Sequence, residues 1–399
     1  MYILVSENFI AGLTTAPQPE GRLYGEYLPG EDVARFWEET TRPAQALGWW
    51  RQGHEPEWPE GAGEPEEGQF LALILGQEIT FYRREQGRWQ PQPHEVMNLY
   101  TDFGSRQQGL FDLKLLAGKR VAIVGLGSGG SLVAAQLAKA GVGHFELFDF
   151  DRLGSGNISR HLCGLRDLGR LKVAAVKDAL ENTNPFVEVN TYPYDITRHL
   201  SEVEIILAGC DLVVGAADSE VAKGEINRLA VRLRKPAVYG AVYDMGYGGD
   251  IFRYQPPAGA CYACFKESTR DIFQDAPRAE VLDYGKIAPQ PALEMDVTII
   301  GSLVARVLLA EQLAGDPLSQ LERLPANWVI WGNRPWEGWI FDEPLQSRFV
   351  EISRDPTCPV CQHDLFIQEK LGLAPDEAAR QAAALLASLE NKRPPEPAS

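Results

Sequence analysis

The sequence predicts an α/β fold: a doubly wound, Rossmann-like parallel sheet with an antiparallel extension and a zinc knuckle, preceded by a small α+β module. Three observations predict it. A glycine-rich loop stands between an apolar strand and an amphipathic helix in VAIVGLGSGGSLVAAQLAKAG. From Arg120 onward strand-like and helix-like stretches alternate, which implies parallel strands joined by crossover helices on both faces of one sheet. Two C-x-x-C pairs, Cys261 with Cys264 and Cys358 with Cys361, bracket the last part of this region.

Residues 1 to about 105 differ in pattern from the rest. FLALILG and ITFYRR read as two strands of a hairpin separated by Gly76-Gln77-Glu78, and EDVARFWEETTRPAQAL reads as a helix. The stretch HEPEWPEGAGEPEEG is rich in Pro, Gly and Glu and reads as an exposed acidic loop. His54 and His94 lack neighbouring ligand clusters and read as surface residues. The second domain, 106–365, runs through VAIVG, SLVAAQLAKAG, HFELFDFD, KVAAVKDALENTN, VEVNTYPYD, DLVVGAAD, EINRLAVRLRK and PAVYGAVYD. A long aperiodic connection containing CYACF comes next, then the helix VTIIGSLVARVLLAEQLAG, then WVIWG, GWIFD and RFVEISRD as antiparallel strands. Residues 366–399 read as a helix and a disordered tail.

With 399 residues and 45% hydrophobic content the chain is long enough for two domains. Its net charge of -17 repels nucleic acid and anionic membrane, so neither is an expected partner. MYILVSENFIAGL has neither the basic start nor the length of a signal or membrane segment, and the expected location is cytoplasmic.

The loop glycines Gly125, Gly127 and Gly130 permit a tight turn, let backbone approach a phosphate, and set a helix N-terminus where its amides attract negative charge. Asp149, at the end of the next strand, is placed to bind ribose hydroxyls, with Asp151 beside it. These features suit NAD and ATP equally. The stretch after Asp149 shifts the balance: DFDRLGSGNISRHLCGLRDLGRLKVAAVKDAL concentrates Asn157, Arg160 and Lys172 downstream of that acid in an otherwise acidic protein. Cations there suit a polyphosphate whose charge grows during transfer.

Taken in order, GLGSGG, DFDRLGSGNISRH, GRLKVAAVKDALENTNP, GAADS and the two C-x-x-C pairs resemble the ThiF/MoeB/E1 superfamily of ATP-dependent adenylating enzymes. The resemblance covers about residues 105–365. It implies attack on the α-phosphate of ATP by the C-terminal glycine carboxylate of a ubiquitin-like protein, giving an acyl-adenylate and pyrophosphate. Asp149 then resembles the ribose acid, and Asn157 and Arg160 the phosphate-contacting pair of S-N-x-x-R-Q, with Gly156 and His161 in place of its serine and glutamine. Lys172 resembles the phosphate lysine, and Asp218 the magnesium aspartate of C-x-D-N, which here reads Ala216-Ala217-Asp218-Ser219. Arg106-Gln107 resembles the Y-x-R-Q segment, without its tyrosine, whose arginine reaches a neighbouring subunit's site; a homodimer is implied. Magnesium needs few protein ligands beside phosphate oxygens, so Asp218 suffices.

Two C-x-x-C knuckles suit a closed, structural zinc site of four thiolates, Cys261, Cys264, Cys358 and Cys361. Residues 265–298 contain no cysteine, so the thioester that some relatives form in this segment has no nucleophile here. Cys163, among cations in RHLCGLRD, is the one weak candidate near the site; Cys210 reads as a buried, inert thiol. The acyl group is therefore expected to pass directly to an E2-like protein, a sulfurtransferase or another acceptor. The tryptophans of ANWVIWGNRPWEGW read as sheet packing. An NAD-dependent oxidoreductase and a non-catalytic scaffold that binds the modifier stay open as alternatives.

Overall fold

The computed structural model describes residues 1–37, 44–270, 291–335 and 340–362. It divides into two compact units, Met1–Gln108 and Gly109–Ser399.

In the first unit β1 (Tyr2–Ser6) leads into α1 (Glu7–Thr14), whose start is set by Ser6: its Oγ accepts the Phe9 amide at 3.0 Å, satisfying a donor that has no partner within the helix. The remaining strands are β2 (Glu20–Leu28), β3 (Val33–Phe36), β4 (Gln45–Gln52), β5 (Phe70–Leu75), β6 (Glu78–Glu85), β7 (Arg88–Gln92) and β8 (His94–Met97). Among the described residues they form one eight-stranded sheet in the order β7-β6-β5-β4-β2-β3-β1-β8, and a short α2 (Leu99–Asp102) comes after it. The hairpin read at Gly76 is present: Leu75 pairs with Glu78, and Gly76 takes φ +60°, a left-handed turn conformation that glycine tolerates. The helix expected over EDVARFW is instead a strand, β3, parallel to β1. Its buried residues are Ala34 and Phe36, two apart, and this period of two outweighs the helix-favouring composition. Residues 38–43 of that segment lie outside the described residues. The acidic stretch 54–68 carries no helix or strand, and His54 is exposed. His94 is half-buried where the sequence suggested a surface residue: its ring lies 5.5 Å from that of Phe81, and burial lowers its pKa.

The second unit runs α3 (Leu113–Ala117), β9 (Arg120–Val124), α4 (Ser128–Ala140), β10 (His144–Phe148), α5 (Lys172–Glu181), β11 (Glu188–Tyr192), α6 (Leu200–Ala208), β12 (Leu212–Gly215), α7 (Glu220–Leu233), β13 (Ala237–Val242), β14 (Gly248–Tyr254), α8 (Tyr262–Ser268), α9 (Glu294–Gln312), β15 (Trp328–Gly332) and β16 (Gln346–Val350). Its sheet has the order β11-β10-β9-β12-β13-β14-β15-β16, parallel from β11 to β13 and antiparallel beyond. The doubly wound sheet and its antiparallel extension are thus both present. α6 and β14 are absent from the sequence-based order of elements. Of GWIFD, 338 and 339 lie outside the described residues and 340–342 are not a strand. Trp328 is buried in the sheet and Trp331 half-buried, whereas Trp336, Trp339 and the helix expected from Phe366 lie outside the described residues.

Alternate residues of β9 serve opposite cores. Val121 and Ile123 pack with Val133 and Leu137 of α4 and Ile300 and Leu308 of α9; Ala122 and Val124 pack with Val203 of α6 and Ile226 and Leu229 of α7. A strand covered on both faces must be apolar at every position, which is why VAIV carries no alternation. The chain steps from β9 through β10 to β11 on one side, then crosses to β12 and β13 on the other. The strand order therefore reverses between β9 and β12, and in open parallel sheets a crevice for ligand opens at that point beyond the carboxyl ends of the strands.

Candidate functional site

The glycine loop leaves β9 at this crevice. Gly125 takes φ +93°, and a Cβ there would lie 2.6 Å from the Ala217 nitrogen and 2.7 Å from the Ala216 carbonyl carbon, so the loop is pressed against the segment leaving β12. A Cβ on Gly130 would overlap the Gly125 carbonyl oxygen, with the Ala216 Cβ 3.1 Å away. Gly127 differs: it caps α4 at φ -68° and a Cβ would meet nothing within 4 Å. Two glycines are thus dictated by close packing and the third opens the amide end of α4 to whatever occupies the crevice.

Asp149 lies just beyond β10 and holds this loop. One carboxylate oxygen accepts the Leu126 amide at 2.7 Å, the other the Asp151 amide at 2.8 Å. Each oxygen keeps a further lone pair for a hydroxyl donor. Burial raises its pKa, opposed first by the charge of Lys172. Lys172 is the first residue of α5 and itself buried; its Nζ lies 2.7 Å from Asp151 and 3.9 Å from Asp149. A buried ammonium between two carboxylates is paired, as a desolvated charge must be.

Asn157 ends a 3-10 turn and its Oδ1 accepts the Gly154 amide at 2.9 Å; the Arg160 amide donates to the Asn157 carbonyl at 3.0 Å. The next residue, His161, reaches the glycine loop, its Nε2 lying 2.8 Å from the Leu126 carbonyl. Asp218 is exposed, three residues beyond the end of β12, in the segment against which Gly125 packs. Ser219, at the position where the motif has asparagine, caps α7 by accepting the Ala222 amide at 3.3 Å. The fold therefore gathers Gly125, Gly127, Gly130, Asp149, Asp151 and Lys172 around the crevice, with the Asn157–Arg160 turn and Asp218 on its borders. Arg106 is exposed in a turn of the first unit.

The four knuckle cysteines also come together. Their sulfurs all lie within 4.8 Å of one another, with Cys261–Cys264 at 3.9 Å, Cys261–Cys358 at 3.7 Å and Cys264–Cys361 at 3.5 Å. A zinc tetrahedron with bonds of about 2.3 Å has sulfur–sulfur edges of about 3.8 Å, so this donor set fits zinc. Two N–H groups support the sulfurs, Asn227 Nδ2 toward Cys261 and the Asp355 amide toward Cys264, each at 3.5 Å. Asn227 also accepts the Tyr262 amide at 2.9 Å, tying α7 to α8. The cluster joins the chain just after β14 to the chain just after β16.

The remaining thiols are shielded. Burial pushes Cys163 up to about 12, with Asp167 adding to the effect, and Cys210 up to about 12, with Glu146 adding. The cations in RHLCGLRD do not activate Cys163. Sequence reasoning missed Asn227, which lies in no motif, and it noted His161 at the motif's glutamine position without giving it a role; each acts on an atom distant in the chain. No helix among the described residues is long and apolar enough to cross a membrane.

Comparison with known proteins fits this geometry. A sulfur carrier protein adenylyltransferase of Thermus thermophilus is 30% identical over 254 residues, 60% of this chain and 81% of its own. A molybdopterin-synthase adenylyltransferase of Escherichia coli is 30% identical over 250 residues, 62% of this chain and 88% of its own. A ubiquitin-like modifier-activating enzyme 5 of Bombyx mori is 31% identical over 155 residues, 37% and 39% of the two chains. A solved structure of Escherichia coli MccB has the same fold at TM-score 0.50 and 20% identity, covering 66% of this chain and 72% of that one. The ThiF family model matches residues 101–324, more than half of the chain. The chain belongs to the ThiF family and is an E1-like adenylating enzyme.

Proposed function

We propose that this chain uses ATP to adenylate the C-terminal glycine carboxylate of a small ubiquitin-like protein, for onward conjugation or sulfur transfer. The observation that carries the reading is the convergence of the glycine loop, Asp149 and Lys172 at the point where the strand order reverses, in a chain similar to enzymes named for activating sulfur carriers and ubiquitin-like modifiers. ATP is preferred over NAD because a nicotinamide has no use for the cations of this crevice.

In this reading Asp149 accepts the ribose hydroxyls, and the amides around Gly127 at the start of α4 face the phosphates. Lys172 and Arg160 neutralise charge as it moves to the departing pyrophosphate, and Asn157 donates beside them. Asp218, exposed at the crevice, would hold magnesium, which supplies charge neutralisation to the phosphates when bound. The modifier carboxylate attacks the α-phosphorus, a new C–O–P linkage forms, and the bond to pyrophosphate breaks. The attacking group is already ionised at neutral pH, so no general base is needed, and positioning supplies much of the rate. With Cys163 and Cys210 inert, the acyl group passes to an E2-like protein, a sulfurtransferase or another acceptor without a thioester on this chain. Residues 1–105 would serve as a partner-binding or structural module, and 106–365 as the adenylation domain. Arg106 would be donated across a homodimer; mixed dimers carrying Arg106→Ala in one subunit test that, and a monomer with full activity refutes it.

The test of the whole reading is exchange of labelled pyrophosphate into ATP that depends on a candidate modifier. Exchange that disappears in Asp218→Ala and Lys172→Ala supports it. Exchange retained in both variants, or absent with every ubiquitin-like protein tried, refutes it and favours a scaffold that binds without activating.

A further inference from the structure

His161 is buried, and its two ring nitrogens have partners that fix their roles. The Cys163 amide lies 3.0 Å from Nδ1 and can only donate; the Leu126 carbonyl lies 2.8 Å from Nε2 and can only accept. The ring must therefore be the neutral tautomer with its proton on Nε2. Leu126 sits between Gly125 and Gly127, and its own amide is already taken by Asp149. The loop is thus gripped at one residue from two directions, by a carboxylate after β10 and by an imidazole from the turn that carries Arg160.

We infer that His161 is a positioning residue for the nucleotide loop, clamping the Leu126 carbonyl as a neutral Nε2–H donor so that the glycine loop and the Asn157–Arg160 turn hold a fixed separation. This rests on the reading of the crevice as an ATP site. A protonated ring would still donate from Nε2 but would carry a hydrogen on Nδ1 directed at the Cys163 N–H, two donors facing each other, and the ring would lose the support that orients it toward Leu126. The environment resists that step: burial lowers the His161 pKa and Lys172 opposes protonation, while the Leu126 hydrogen bond, Asp149 and Asp167 favour it, with a net lowering. Below the ordinary histidine value of about 6.5 the unfolded chain takes up a proton that the folded ring refuses, so the stability contributed by the clamp falls as pH drops from that value toward the lowered folded one.

A glutamine at this position offers one donor and one acceptor and does not titrate, so the discriminating variants are His161→Gln and His161→Ala. Melting temperature without nucleotide and ATP affinity by equilibrium titration are measured from pH 8 to pH 5.5. At pH 8, His161→Gln binds ATP within about threefold of wild type, and His161→Ala binds at least tenfold more weakly. Below pH 6.5 wild type loses melting temperature relative to His161→Gln, and it loses ATP affinity relative to that variant only once pH falls below the lowered value of the folded ring; protonation of ATP itself affects both proteins alike. Parallel pH curves for wild type and His161→Gln in both measurements overturn the inference, even where His161→Ala fails to fold. Full ATP affinity in a folded His161→Ala also overturns it. Wild type that binds no ATP, yet melts with the expected pH divergence, would refute the adenylating reading and leave the clamp standing.

Discussion

Replacing Gly125 by alanine separates the packing role of the loop from its binding role. The new Cβ would sit 2.6 Å from the Ala217 nitrogen, about 0.8 Å inside the 3.4 Å at which ordinary contact begins, and both neighbours are backbone that cannot rotate away. The φ of +93° adds strain of about 1–3 kcal/mol for a residue with a Cβ. Overpacking against rigid neighbours adds about 1–3 kcal/mol. The combined loss, roughly 2–6 kcal/mol, corresponds to a fall in melting temperature on the order of 5–20 °C for a unit of this size. Gly127→Ala is the control: φ is already -68° and nothing stands within 4 Å, so its melting temperature stays within about 2 °C of wild type. Its methyl would still occupy space in front of the α4 amides, and ATP affinity should fall at least tenfold. Thermal unfolding by circular dichroism, with nucleotide titration of each folded variant, reads both effects. Equal melting of Gly125→Ala and wild type would refute the packing account. Unchanged ATP affinity in Gly127→Ala would refute the placement of the phosphates.

The same geometry sets further outcomes. The purified chain should hold one zinc per molecule; Cys361→Ser should lose it and melt at least several degrees lower, whereas a Cys361→Ser protein that keeps a full equivalent would exclude the four-thiolate site. Cys163→Ala should retain modifier-dependent pyrophosphate exchange within about twofold, because a thiol held at about 12 supplies almost no thiolate at neutral pH. Isolation of an acyl thioester on Cys163 would contradict this. Lys172→Met removes the cation that holds the Asp149 pKa down, so any remaining ATP affinity should shift to higher pH, a displacement visible in a pH titration of binding. A profile that keeps the wild-type midpoint would show that Lys172 does not govern Asp149.

The parallel sheet was legible because strands buried on both faces, such as VAIV and LVVG, leave unbroken apolar runs, and because the glycine loop marks where the first of them ends. The cysteine cluster was legible because both pairs share one spacing. β14 was missed because it opens on Gly248 and Gly249, where a Cβ would strike the backbone of β15 and β13; close approach demanded residues that look like a turn. The strand Val33–Phe36 was misread because Glu, Ala and Arg favour helix, and the alternation shows only once the strand pairs with β1 and β2. At the site, Asp149 and Lys172 could be found by position along the chain. That Lys172 pairs with Asp151, and that His161 grips a carbonyl 35 residues away, depends on side-chain directions that no spacing encodes.

The cysteine cluster has a consequence for how the molecule responds to its surroundings. Cys261 and Cys358 are 97 residues apart, and a link closing a loop of that length withdraws about 4–5 kcal/mol of disorder from the unfolded chain. With zinc as the link, an exchangeable ion and not a covalent bond, its contribution would rise and fall with supply: above the dissociation constant, each tenfold drop in free zinc would remove about 1.4 kcal/mol. The antiparallel strands beyond β13 would then be held in part by a quantity set outside the protein, and metal scarcity would register first as loosening of that edge of the sheet.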